Sequence, residues 1–200
     1  HLIYAKQIPA TTTFRRHAYR KRIPSSWVHA GDLKQGDACL YPLPLEVRPL
    51  QYLAFISERR KWDFKSRALP KRLKVTAELL EFFGYFLAEG YTKGTEIGFV
   101  FSNREMHLAE RVRELAGMLF GLDATIRERS RQHRIDVTVY NTHLAQYLRK
   151  FFGTSAETKR IPESLLFLDP KVQRGLLKGL WLGDGHFAVW RSQPRAGYTT

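Results

Sequence analysis

Two short segments carry carboxylates in a setting suited to a metal ion. Phe82-Phe83-Gly84-Tyr85-Phe86-Leu87-Ala88-Glu89-Gly90 and Leu177-Lys178-Gly179-Leu180-Trp181-Leu182-Gly183-Asp184-Gly185 are both mostly apolar nonamers. Each has glycine at its third position, a carboxylate at its eighth and glycine at its ninth. Read as helices, they put Glu89 and Asp184 at C-terminal ends, where the helix dipole disfavours negative charge. Two acids held close together also repel, and one keeps its proton unless a cation intervenes. Hard divalent ions such as Mg2+ or Mn2+ prefer carboxylate oxygens and relieve both problems. Either nonamer alone reads as an ordinary helix ending at a glycine. The pair, with matched glycines and acids, favours the metal.

The two acids, 95 positions apart, must be brought together by packing. Glycine inside a helix costs about 0.5–1 kcal/mol relative to alanine, so Gly84 and Gly179 point to close approach of another backbone. Gly175, Gly179 and Gly183 recur every four residues and so share one face. The expectation is a helix pair joined along Gly84 and Gly179. Around it, Thr76 is an N-cap and Leu79 to Leu87 follow at helical spacing. A hairpin turning at Lys93-Gly94 comes next, with Ile97, Phe99 and Phe101 alternating. Asn103 is expected to cap a helix carrying Leu108, Val112, Leu115 and Leu119, stopped by Gly121. Strands around 124–129 and 134–140 precede a helix capped by Asn141 and ended by Gly153. Residues 154–168 read as loop. Asp169-Pro170 opens the helix of the second nonamer, and a further strand pair follows. From Thr76, then, a helix–strand–strand–helix–strand–strand–helix order is completed once and begins again.

Upstream, residues 1–44 read as short strands and turns, and 45–75 as a basic connector with the cluster Arg59-Arg60-Lys61. Net charge is +14, which calls for a polyanionic partner. Residues 1–75 hold 16 Lys/Arg against 5 Asp/Glu, so the front is the basic part. Hydrophobic residues make up 44 % of the chain, which argues against disorder. The single cysteine, Cys39, excludes a disulfide framework and a multi-thiolate zinc site, fits an intracellular compartment, and is expected to be a small core residue. No apolar stretch is long enough to span a bilayer.

With these residues in view, the nonamers resemble the paired motifs of the LAGLIDADG homing endonucleases. Residues 76–168 resemble one complete αββαββα repeat and residues 169–200 the start of a second, giving an α+β fold. The resemblance implies a double-stranded DNA partner and phosphodiester hydrolysis dependent on Mg2+ or a similar ion. It implies Glu89 and Asp184 as catalytic metal ligands, the carbonyls of Ala88 and Gly183 as secondary contacts, and a monomeric parent with a pseudo-twofold axis between repeats. One departure from the family pattern is expected to matter: the second repeat stops after one hairpin, so most of its sheet and the basic residue that the family carries there beside the metals are missing from these 200 residues. With one repeat and part of another, the 200 residues alone are expected to cut DNA poorly. The alternative is a non-catalytic nucleic-acid-binding module of the same fold, of maturase or regulator type.

Thr125, Arg127, Arg129 and Arg131 share one parity, and Arg134 opens the partner strand. These arginines could meet guanine edges or phosphates, with Lys93 a further candidate. Near the front, Trp27-Val28-His29-Ala30-Gly31-Asp32-Leu33-Lys34-Gln35-Gly36-Asp37 is similar to a pattern in the Hint splicing domain of inteins. On that resemblance residues 1–44 are a partial Hint segment, and His1 matches a histidine that assists the first acyl shift of protein splicing.

Overall fold

The computed structural model describes residues 2–8, 23–40, 47–56, 67–154, 158–190 and 193–198. It separates into two units, His1–Leu45 and Glu46–Thr200.

In the first unit, β1 (Leu2–Lys6) lies between β2 (Ser26–His29) and β3 (Ala38–Cys39), antiparallel to both. Register pairs Tyr4 with Trp27, whose rings lie 5.2 Å apart, and Ala5 with Cys39. Ala5 and Val28 are buried. The Leu33–Asp37 turn closes on the Asp37 carboxylate, which accepts from the amides of Lys34 at 2.8 Å and Ile8 at 2.7 Å. Those bonds hold the carboxyl below its ordinary range. Cys39 corrects an expectation: it stands exposed, because β3 is an edge strand of two residues. His1 and the cluster Arg59-Arg60-Lys61 lie outside the described residues.

The second unit is built on a four-stranded antiparallel sheet ordered β6-β7-β9-β8, from β6 (Gly90–Lys93), β7 (Glu96–Ser102), β8 (Ala124–Arg129) and β9 (Arg134–Tyr140). Ile97, Phe99, Phe101, Ile135, Val137 and Val139 alternate onto one face and are buried. That face packs on α1 (Ala77–Glu89) and α2 (Met106–Phe120), while α3 (Thr142–Phe152) meets β6 and β7. Phenylalanines lock the layers together. Phe82 meets Phe99 and Phe120 at 5.5 and 5.2 Å, and Phe83 meets Phe152 at 4.9 Å. Each such buried ring contributes about 1.5–3 kcal/mol.

Helix boundaries follow local chemistry. Thr76 Oγ1 accepts from the Leu79 amide at 3.2 Å, and Asn141 Oδ1 from the Leu144 amide at 2.9 Å. Gly121, at φ +62°, ends α2 in a left-handed turn. Asn103 does not cap α2. The chain turns once more, Glu105 becomes the N-cap residue, and its carboxylate accepts from the Ser102 amide at 2.9 Å. The stretch expected to be loop contains a helical turn, α4 (Glu163–Leu166), set by Pro162. The described part of the connector forms a ribbon of β4 (Tyr52–Ala54) and β5 (Arg72–Lys74), with Leu53 and Leu73 in the core. Finally α5 (Pro170–Asp184), capped by Asp169 with Pro170 at its first turn, leads into the hairpin β10 (Gly185–Trp190) and β11 (Gln193–Tyr198).

Candidate functional site

The helices α1 and α5 run side by side in the same direction. Close approaches recur at matched heights: Gly175 against the backbone of Ala77, Gly179 against the backbone of Glu81 and Gly84, and Gly183 against the side chain of Ala88. A Cβ at Gly84 would lie 2.8 Å from Gly179 Cα and from Leu180 N, and one at Gly179 would lie 2.7 Å from Tyr85 N. These opposing atoms are backbone and cannot swing away. The glycines are therefore what lets the axes close, and the expected Gly84/Gly179 seam is present.

Beside this seam, Glu81 forms a clasp. Its buried carboxylate accepts from Arg111 of α2 through Nε at 3.1 Å and Nη2 at 2.8 Å, and from Lys178 of α5 at 2.8 Å. Burial pushes the Glu81 carboxyl up, but the two cations outweigh it and the net shift is downward.

At the far end of the seam the two acids stand at the same end of the helix pair, close enough for Asp184 to act on the Glu89 carboxyl. A Cβ at Gly183 would sit 2.5 Å from Ala88 Cβ and 3.2 Å from Glu89 Cγ. Both acids are partly buried, and neither forms an ion pair among the described residues. Tyr198 Oη donates to Asp184 Oδ2 at 3.3 Å. The Glu89 carboxyl is pushed up to about 7, first by burial, then by the neighbouring Asp184 and by Glu105. Each acid stands where a motif helix passes into a strand, Glu89 before β6 and Asp184 before β10.

Lys159 was not singled out from the sequence. Its ammonium donates to the carbonyls of Phe86 at 2.8 Å, Leu87 at 3.1 Å and Gly90 at 2.5 Å, and lies 5.1 Å over the Phe86 ring. It thus caps the C-terminal end of α1, sharing the Phe86 carbonyl with the Gly90 amide and adding a donor for the Leu87 carbonyl. Burial lowers its pKa, while the fields of Asp184 and Glu89 act to raise it. The signal in the sequence was slight: a basic pair, Lys159-Arg160, just before Ile161-Pro162.

On the sheet, register places Lys93, Arg127, Arg129 and Arg134 on the one face turned away from the helices, together with Tyr91, Glu96, Asp136 and Tyr140. Arg131 does not continue this face. It sits in the 3-10 turn Ser130–Gln132, closed by His133 at φ 52°, so strand parity does not direct it. Asp136 binds Arg129 at 3.1 Å and Arg134 at 3.0 Å. Arg127, opposite Asp136 in register, makes no ion pair among the described residues.

A helix pair joined by glycine, ending in adjacent acids and backed by an antiparallel sheet, is the arrangement of a known class. Residues 76–154 match the family described as the LAGLIDADG-like domain, and the chain carries such a domain there. Domains of this family are typically DNA endonucleases and bind DNA. The chain is 32 % identical over 177 residues to the uncharacterized protein MJ0043 of Methanocaldococcus jannaschii, covering 83 % of this chain and 22 % of that protein. It is 26 % identical over 174 residues to the iron-sulfur cluster assembly SufBD family protein Rv1461 of Mycobacterium tuberculosis, covering 82 % and 18 %. With the DNA-directed RNA polymerase subunit Rpo1C of M. jannaschii it shares 29 % identity over 123 residues, covering 60 % and 14 %. The matched region thus spans less than a quarter of the length of each of these relatives. Among the described residues, no helix is long and apolar enough to cross a membrane.

Proposed function

We propose that this chain is part of a site-specific, double-stranded DNA endonuclease of the homing type, carried within a protein-splicing intein. The observation that carries the nuclease reading is the placement of Glu89 and Asp184 at the same end of a glycine-joined helix pair. A binding module has no need of two partly buried acids that repel each other.

The donor set fits a hard divalent cation, Mg2+ or Mn2+. Two carboxylates that form no ion pair among the described residues share one end of the helix pair, where burial first and then the field of Asp184 raise the Glu89 carboxyl, with Lys159 only partly offsetting it. Glu89 and Asp184 would hold the ion, with the carbonyls of Ala88 and Gly183 as further oxygen donors. Once bound, such an ion supplies activation of water and stabilisation of the leaving oxygen in phosphodiester hydrolysis. The remaining work falls to side chains. Lys159 fixes the carbonyls at the end of α1 and so the direction of Glu89. Lys93 and Arg127 are placed to meet DNA phosphates or base edges, with Arg129 and Arg134 available where Asp136 releases them. In the full-length parent, a completed second repeat would make a monomer with a pseudo-twofold axis along the helix pair.

The intein setting is supported by the Leu33–Asp37 turn and by the relatives. An iron-sulfur assembly protein and an RNA polymerase subunit share by name no activity, yet both contain a segment like this one within a much longer chain. An inserted element explains that distribution better than a common task. His1 would then assist splicing.

The test is cleavage of a plasmid bearing the uninterrupted host gene by the longer parent protein. Glu89→Gln and Asp184→Asn, which keep size and remove charge, should each abolish cutting. Retained cleavage by the Asp184→Asn protein, free of contaminating nuclease, would place the chemistry elsewhere.

A further inference from the structure

Charge on the sheet is partly spent within the protein, since Asp136 engages both Arg129 and Arg134. A second basic surface of the same unit is not spent in this way. It is carried by the β4–β5 ribbon. Register pairs Tyr52 with Lys74, Leu53 with Leu73 and Ala54 with Arg72. The pairing extends through Val75 N to Gln51 O at 2.8 Å and Phe55 N to Lys71 O at 2.9 Å. Strand alternation sends Leu53 and Leu73 inward, where with Phe55 they join the core. It leaves Tyr52, Arg72 and Lys74 on the outer face, with Tyr52 47 % exposed. Residues 47–56 and 67–76 contain Arg48, Arg67, Lys71, Arg72 and Lys74 and no aspartate or glutamate. Lys71, Arg72 and Lys74 are exposed and enter no ion pair among the described residues. Tyr52, Arg72 and Lys74 also border a cavity of about 280 Å³ against Thr76 and Met118.

The ribbon's return strand is tied to one particular end of the sheet. Asn141, directly after β9, donates through Nδ2 to the Arg67 carbonyl at 3.0 Å, and Arg67 Nη1 donates to the Gly121 carbonyl at 2.6 Å. This is the end at which Tyr140 pairs with Glu96, and Glu96 with Lys93. Arg67 is thus held at that end of the sheet with its guanidinium engaged by Gly121, and the exposed cations Lys71, Arg72 and Lys74 follow it along the chain. A stiff, doubly anchored ribbon with cations on its free face matches the regular negative charge of a duplex backbone.

We propose that the outer face of the β4–β5 ribbon is a second DNA contact, gripping sugar-phosphate backbone beyond the stretch covered by the sheet. It rests on the DNA-binding reading above and adds to it a surface outside the matched domain. The free face carries two cations and a tyrosine, so it contributes affinity and salt dependence through phosphate contacts.

The experiment uses the full chain and a 40-base-pair duplex of arbitrary sequence, with binding followed by fluorescence anisotropy across a salt series. For the combined substitution Arg72→Ala, Lys74→Ala, the slope of log K against log[salt] should fall by about 2, and affinity near 0.1 M salt by at least several-fold. A separate Lys93→Ala, Arg127→Ala protein reports on the sheet. A normal slope for the ribbon variant beside a reduced slope for the sheet variant would overturn the ribbon alone. Absence of salt-dependent binding by the unsubstituted chain would overturn both readings. Should the double substitution impair folding, amine acetylation of the unsubstituted protein decides. DNA should protect Lys74 several-fold, and equal labelling of Lys74 with and without DNA would contradict the proposal.

Discussion

Glu89 keeps its proton up to about pH 7 because folding both buries it and sets Asp184 beside it. Its folded pKa lies above the ordinary glutamate value of 4.5. The unfolded chain therefore releases this proton first as pH rises, and the Glu89 contribution to stability is lost between about pH 4.5 and 7. Glu81 works in the opposite sense. Its folded pKa is depressed, so its contribution is present above the unfolded value of 4.5 and is lost as pH falls below it. In metal-free protein at pH 8, Glu89→Gln should raise stability by on the order of 1 kcal/mol, after discounting for solvent at this partly exposed carboxyl. At pH 4 the gain should vanish. Urea unfolding at the two pH values checks this, and a gain equal at both would disconnect Glu89 from the repulsion assigned to it. The identity of these two acids was legible in the sequence because their nonamers match position by position. Lys159 was not, because its partners are carbonyls about 70 positions earlier in the chain, and only tertiary packing brings an ammonium to them.

At the level of elements, the glycine seam decides where the acids go. Alanine at Gly84 or Gly179 would push a methyl into opposing backbone, which over-packs a contact that side-chain rotation cannot relieve. Each substitution should destabilise by about 1–3 kcal/mol or more, and Gly84→Ala with Gly179→Ala together should spread the helices. Thermal unfolding measures the first effect. Alanine at Gly117, which has open space around it, is the matched control and should be neutral or mildly stabilising. Element type was readable wherever a local signal existed: the caps at Thr76, Asn141 and Asp169, the left-handed glycine at 121, the period-2 runs of β7 and β9. It failed where neighbours made the choice. Glu105 captured the Ser102 amide and displaced Asn103 as the cap, Arg131 fell into a turn, and the connector became a ribbon because Leu53, Phe55 and Leu73 found the core.

For the whole molecule, the folded chain places a basic sheet face and a pair of acids on one unit, each acid directly preceding a strand. Internal pairing moderates the sheet charge. Asp136→Asn should free Arg129 and Arg134 and tighten binding to duplex DNA, while Arg127→Ala should weaken it and lower the salt slope by about 1. A fall in affinity with Asp136→Asn would mean that those arginines need Asp136 to be held in place. The acids themselves are tested most directly by titrating Mn2+ into the 200-residue protein at pH 8 and following free Mn2+ by electron paramagnetic resonance. Binding should be detected for the unsubstituted chain and lost in both Glu89→Gln and Asp184→Asn. Mn2+ binding that is unchanged in either variant would contradict the assignment of these two carboxylates as one metal site.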